Sequence, residues 1–387
     1  MSLAVTSPDS NLDYFNAAKR IVVKIGSSLF VDPETGTLDR SWLEALADDI
    51  NELHRDGKEI VVVSSGAVSL GRRELGLGPK KTRVEDNQAA AAAGQILLAH
   101  AYKEILGSRG MTVAQVLLIL DDSENRKRYL NAVNTLTTLI RARAVPVVNE
   151  NDTVATEELR YGDNDQLAGQ VAQMISADCL VVLSDVDGLY DRDPQQDPAA
   201  THIPQVDRID ADLFAMAGGP GSRHGSGGMR TKLEAARIAV SAGCHVVITT
   251  GHVAQPITAL RDGGRATWFL STATPQAARK QWIAGSLSPK GRVVIDEGAG
   301  RALAEGRSLL PAGVVAVEGQ FERGDPVSVV NAKGAEVARG LVAYARDDAA
   351  AIAGKHSADI AEVLGYSGRN EMIHRDDLVL TSSDATS

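Results

Sequence analysis

Six short runs of β-branched and aliphatic residues limit what this chain can fold into. They are Arg20–Ile25 (RIVVKI), Lys58–Ser64 (KEIVVVS), Met111–Leu120, Val145–Val148, Cys179–Leu183 (CLVVL) and His245–Thr249. Most are continuously apolar rather than alternating, the pattern of strands buried on both faces. Helical patterns separate them: Ser41–Leu53, Gln88–Leu106, Ser123–Ala142 with Ser123 as its N-cap, Leu167–Ile175 and Met229–Ala242. Strands alternating with helices predict an α/β fold, a mostly parallel open sheet sandwiched by helices. No internal repeat interrupts the series.

At 387 residues the chain is long enough for two domains. Its character changes near Leu270. Residues 271–289 are polar and read as a linker. Beyond them, short strand-like pieces at Arg292–Ile295, Gly313–Val317, Pro326–Val330 and Val337–Val342, with one helix at Ala349–Ala353, predict a small, mainly β module over 290–382. Residues 1–16 read as a loose arm before a main domain over 17–270. Aromatics make up only 4% of the chain, so its cores must be built from Ala, Val, Leu and Ile. A net charge of -10 argues against coating nucleic acid or anionic membrane by bulk charge. Cys179 and Cys244 each border an apolar run and read as small buried hydrophobes, not as a disulfide or zinc framework. No apolar run reaches the roughly 18 residues of a membrane span. No basic-then-apolar leader opens the chain, so a cytoplasmic location is expected.

The polar signals cluster where strands end. After Val145–Val148 comes Asn149-Glu150-Asn151-Asp152, and a second knot, Gly162-Asp163-Asn164-Asp165, precedes the helix starting at Leu167. In open α/β sheets, ligands bind at the carboxyl ends of strands, where such loops gather. Neither a GxxxxGK[ST] loop nor a GxGxxG turn after a strand is present. The run Gly225-Ser226-Gly227-Gly228-Met229-Arg230-Thr231-Lys232 puts glycines directly before a helix, another way to bring backbone N–H groups to phosphate. Lys24 lies inside an otherwise apolar strand, and Lys232 lies one turn into the helix after the glycines. Together they would converge on a polyphosphate. Phosphoryl transfer needs charge stabilisation of the moving group more than covalent chemistry. Two adjacent ammoniums repel, and Asp165 is the candidate carboxylate to hold them. No dedicated metal cluster is visible, so Mg²⁺ is expected to bind mainly through the nucleotide phosphates.

The set VVKIGSS, VSSGAVSLG, VPVVNENDTVAT, YGDNDQLAG, LSDVDGLYDRDP and GSGGMRTK resembles the amino-acid kinase family. The NEND and GDND pieces resemble most closely the branch acting on free L-glutamate. The C-terminal module, with VIDEGA, LLPAGV and HRDD, looks like a PUA domain. The resemblance runs from about Lys19 to the end of the chain. It implies ATP-dependent phosphorylation of the glutamate γ-carboxylate, the first step towards proline, with feedback inhibition by proline and a homo-oligomeric assembly. It assigns Lys24 and Lys232 to the transferring phosphoryl group and Asp165 to organising them. Ser65, Asp152 and Asn164 would hold glutamate. Ser184, Asp185 and the loop Ser226, Gly227, Gly228, Met229, Arg230, Thr231 and Lys232 would contact ATP. The family often has threonine where this chain has Ser184, and the hydroxyl is retained.

The chemistry of the residues agrees with that implied substrate. An α-ammonium taken out of water needs acceptors such as the Asp152 carboxylate. N-acetylglutamate would present a neutral amide there. A nucleoside monophosphate would call for arginines beside the acidic loop, where only Arg160 is near in sequence. A γ-carboxylate is already a nucleophile at neutral pH, so no His or Cys is required, and His224 in the Gly-rich loop is given no role. The alternatives are another amino-acid kinase, acting on N-acetylglutamate or aspartate, and an RNA-binding protein of the PUA type. Residues 290–387 carry 11 Lys/Arg against 15 Asp/Glu, a balance that disfavours tracking phosphates.

Overall fold

The computed structural model describes residues 8–32, 34–77, 83–155, 164–194, 196–217, 228–285 and 288–381. It divides into two units, Met1–Pro275 and Gln276–Ser387. The first contains β1 (Arg20–Ile25), β2 (Glu59–Ser64), β3 (Val113–Leu118), β4 (Val145–Glu150), β5 (Cys179–Ser184), β6 (Leu189–Tyr190), β7 (His202–Ile203), β8 (Gln205–Val206), β9 (His245–Thr250) and β10 (Ala266–Phe269). Eight of these form one sheet in the order β3-β4-β2-β1-β5-β9-β10-β8, and β6 pairs with β7 in a separate hairpin. Neighbours in the large sheet run parallel, except that β10 is antiparallel to β9. Five of the six apolar runs thus form the buried middle of a parallel sheet, as their lack of alternation requires, while the run carrying β3 is its edge strand and is mostly half-buried.

Each face of the sheet carries its own core. Ile21, Val23 and Ile25 of β1 pack on one side with Leu43, Leu46, Leu98 and Tyr102. Val22 faces the other side, with Leu167, Val171, Leu233 and Ala236. Side chains alternate along a strand, so Lys24 falls on the Val22 face, towards the helices Asn164–Ile175 and Met229–Ser241.

Several boundaries differ from the sequence reading. Residues 8–17, most of them read as a loose arm, form a helix, Pro8–Ala17, and Phe15 is fully buried in the core. The strand read as Val145–Val148 continues to Glu150, so Asn149 and Glu150 are buried strand residues rather than loop. The helix expected to start at Ser123 is two pieces, Leu120–Glu124 and Arg126–Arg141. The cap of the longer piece is Asn125, whose side chain accepts from Lys127 N and Arg128 N. Ser123 instead donates to its own chain at Leu120 O. Within the span read as a linker lies the helix Pro275–Gly285.

Helices Ala67–Glu74 and Val84–Gly107 cross at glycines. A Cβ on Gly94 would stand 1.8 Å from Ala67 O, and one on Gly71 1.7 Å from Ala90 O. The Ala-rich stretch of the longer helix is therefore a contact surface for backbone. Gly94→Ala must push the two helices apart. The expected loss is about 3 kcal/mol, at the upper end for overpacking, measured by urea denaturation. An unchanged midpoint would contradict the crossing.

In the second unit, β11 (Gly291–Ile295), β12 (Val314–Gly319), β13 (Pro326–Asn331), β14 (Glu336–Leu341) and β15 (Leu378–Leu380) form a sheet in the order β12-β11-β13-β14-β15. Its core includes Val293, Ile295, Val327, Val329 and Ile352. No helix among the described residues is long and apolar enough to cross a membrane.

Candidate active site

Strands β1, β2, β4 and β5 end side by side. In register, Ile25 lies opposite Ser64 on one side and Leu183 on the other, and Val63 opposite Val148. The residues that follow these positions are Gly26, Ser65, Asn149 and Ser184, so four strand ends open onto one edge.

The centre of that edge is Asp165, fully buried in the first turn of the helix Asn164–Ile175. Its Oδ1 lies 2.5 Å from Lys24 Nζ, and its Oδ2 3.2 Å from Lys232 Nζ. Thr231 Oγ1 donates to the same Oδ2 at 2.9 Å and lies 2.8 Å from Gly228 O. Burial alone would raise the Asp165 carboxyl, but the Lys24 and Lys232 ammoniums outweigh it and hold the group below the ordinary carboxylate range. Lys24 and Lys232 are themselves buried. The two helices that meet here approach closely at Gly169, where a Cβ would stand 2.8 Å from Ala235 O. Gly169 lies one turn beyond Asp165, and Ala235 one turn beyond Thr231 and Lys232. That close crossing sets the distance between carboxylate and ammonium. The arrangement places two positive charges together and fixes both with one negative charge, which suits a transferring phosphoryl group.

A second cluster of polar groups adjoins the first through Asn164. Its Nδ2 lies 2.8 Å from Ser64 O, 3.0 Å from Ser65 Oγ and 2.8 Å from Asn149 Oδ1. Asn149 Oδ1 also accepts from Glu150 N, and Asn149 Nδ2 donates to Gln95 Oε1, both at 2.8 Å. Ser65 precedes Gly66, whose φ of 102° lies in the left-handed region that favours glycine, and the helix Ala67–Glu74 follows. Asp152 lies two residues past β4, half-buried, in a turn where Val154 N and Ala155 N both donate to Asn151 O.

Of the residues singled out from sequence, Lys24, Asp165, Thr231 and Lys232 form one cluster, and Ser65 and Asn164 form its neighbour. Ser184 is buried at the end of β5 and donates to the exposed Asp185 at 2.9 Å. Gly228 and Met229 stand at the start of the helix bearing Lys232. Arg230 is exposed and stacks over the Phe214 ring at 5.9 Å. Ser226, Gly227 and His224 lie outside the described residues, as do Gly162 and Asp163. Sequence reasoning gave no role to Gln95 or Asn149. A glutamine inside an Ala-rich helix carries no local signal of a partner 54 residues away.

The amino acid kinase family model matches residues 19–250, and the PUA domain model residues 291–364. The chain is 59% identical over 364 residues to the glutamate 5-kinase of Paramagnetospirillum magneticum, covering 94% of this chain and 98% of that one. It is 56% identical to the glutamate 5-kinase of a Bradyrhizobium species, covering 95% and 97%. Against that of Rhodopseudomonas palustris it is 55% identical, covering 94% and 96%.

Proposed function

We propose that this chain, which belongs to the amino-acid kinase family and within it to the glutamate 5-kinases, transfers the γ-phosphoryl group of ATP to the γ-carboxylate of L-glutamate. The product is L-glutamyl 5-phosphate, and the reaction is the first step of proline biosynthesis. The observation that carries the mechanism is the buried Asp165 holding Lys24 and Lys232 at 2.5 and 3.2 Å. A γ-carboxylate oxygen attacks the γ-phosphorus while the bond to the ADP oxygen breaks. Negative charge moves onto the equatorial oxygens and the leaving group, and the two ammoniums would stabilise it there. The carboxylate attacks as an anion, so no proton must be removed first.

Ser184, Asp185 and the segment Ser226–Lys232 would hold the nucleotide. The start of the helix at Met229 supports this, because its first N–H groups lack intrahelical partners. Magnesium, when bound, neutralises phosphate charge. It would arrive mainly on the nucleotide phosphates. Reliance on ATP and free glutamate favours the cytoplasm as the place of work.

Ser65, Asn164 and Asp152 would take glutamate, with the Asp152 carboxylate on the α-ammonium. Asp152→Ala should raise the KM for glutamate about tenfold to a hundredfold, a charged hydrogen bond's worth, with kcat close to wild type. Steady-state kinetics with glutamate varied would test this, and an unchanged glutamate KM would remove Asp152 from substrate binding. Proline also carries an α-carboxylate and an α-ammonium, so it would meet the same groups and compete with glutamate. Non-competitive inhibition would contradict that overlap.

A further inference from the structure

The glutamate pocket of the proposed reading is backed by the helix Val84–Gly107. Gln88 and Gln95 lie seven residues apart, two turns on, and therefore on one face of that helix. Gln88 Nε2 donates to Ala155 O at 3.1 Å, and Gln95 Oε1 accepts from Asn149 Nδ2 at 2.8 Å. Residues 149 and 155 bracket the turn that carries Asp152. The same helix crosses Ala67–Glu74 at Gly71 and Gly94, and that shorter helix begins directly after Ser65-Gly66. One helix thus touches both sides of the pocket.

Which way each amide faces is fixed by backbone groups that cannot rotate. Glu150 N–H demands an acceptor, so the Asn149 oxygen faces it. The Asn149 amino group then points to Gln95, which must answer with its oxygen. Ser64 O is a carbonyl and demands a donor, so Asn164 turns its amino group towards Ser64, Ser65 and Asn149. The Asn164 oxygen is then the atom offered to a ligand ammonium. Asn149 is only 2% exposed, so water does not replace a partner lost there.

We infer that Gln95 is a positioning residue for the amino-acid substrate: backbone groups set which way the amides face, and the Gln95 oxygen satisfies the buried Asn149 amino group, holding Asn149 in place as the acceptor for Asn164, whose own oxygen accepts an α-ammonium. This rests on the proposed reading of the site as a glutamate pocket. Gln95 bonds to Asn149, whereas Lys24 and Lys232 are held by Asp165, so its effect is expected on glutamate.

The test is steady-state kinetics of the full chain with two variants. Gln95→Leu removes the acceptor and keeps a good helix former. Gln95→Glu keeps an oxygen for Asn149 Nδ2. Gln95→Leu should raise the glutamate KM about tenfold, the equivalent of leaving one buried donor unmatched. Its kcat and ATP KM should stay within about twofold of wild type. Gln95→Glu should restore most of the glutamate KM. Three results would overturn the inference: a wild-type glutamate KM in Gln95→Leu, a parallel loss in ATP KM and kcat, or a Gln95→Glu as impaired as Gln95→Leu. A wild-type chain without glutamate-dependent turnover would sink the substrate reading itself, and this inference with it. An active wild type with an unaffected Gln95→Leu would sink only the inference.

Discussion

Lys232→Ala is expected to lower kcat about a thousandfold while the KM for ATP changes only a fewfold. The ammonium lies 3.2 Å from Asp165 and is buried, so its charge acts in a site poor in water. Removing one preorganised charge of this kind typically costs about 10²–10³ in turnover. Ground-state binding of ATP is spread over many contacts, whereas charge on the moving phosphoryl group peaks in the transition state. Single-turnover measurement at saturating ATP and glutamate isolates the chemical step. A variant with near-normal turnover would remove Lys232 from the mechanism.

Asp165→Asn is expected to cost both stability and turnover. An amide of similar size keeps the packing, but it leaves two buried ammoniums facing each other without their counter-charge. Breaking a buried pair by removing one partner usually costs about 3–5 kcal/mol. The pH dependence gives an independent check. The Asp165 carboxyl is held below its ordinary value, so its stabilisation is fully present above the unfolded-state value of about 3.8. It fades as pH falls from there through the lower folded-state value. The stability gap between wild type and Asp165→Asn should therefore be constant near neutrality and narrow in acid below that point. Denaturant titrations at several pH values would measure it. Equal stability at pH 7 would mean that the lysines do not depend on this carboxylate.

The strands and Lys24 could be read in the sequence for the same reason. A parallel sheet covered on both faces leaves continuous apolar runs, and one charge inside such a run stands out. Asp165 and Lys232 were legible because each sits at the start of a helix entered from a polar or glycine-rich segment. The helix Pro8–Ala17 was not, because among its described side chains only Leu12 and Phe15 join the apolar core, in an otherwise polar stretch. The end of β4 was misread because Asn149 and Glu150 look like loop residues until their partners are known. The partners of Asn149, Gln95 and Asn164, come from distant helices, and no local periodicity announces a contact made by folding. The helix cap at Asn125 in place of Ser123 is a smaller case of the same limit: both residue types cap well, and it is Asn125 that takes the extended backbone between the two helices.

The most direct test of the central claim is acyl-phosphate formation by the intact chain, with ATP and magnesium, trapped as hydroxamate. L-glutamate, N-acetylglutamate and L-aspartate would be compared side by side. Product from L-glutamate alone is the predicted result, because in the proposed reading Asp152 and Asn164 would offer acceptors to a free ammonium and the lysine pair would serve a carboxylate attacking phosphorus. Product from N-acetylglutamate or aspartate in its place would contradict the assignment of that pocket. No product from any of the three would contradict the transfer chemistry itself.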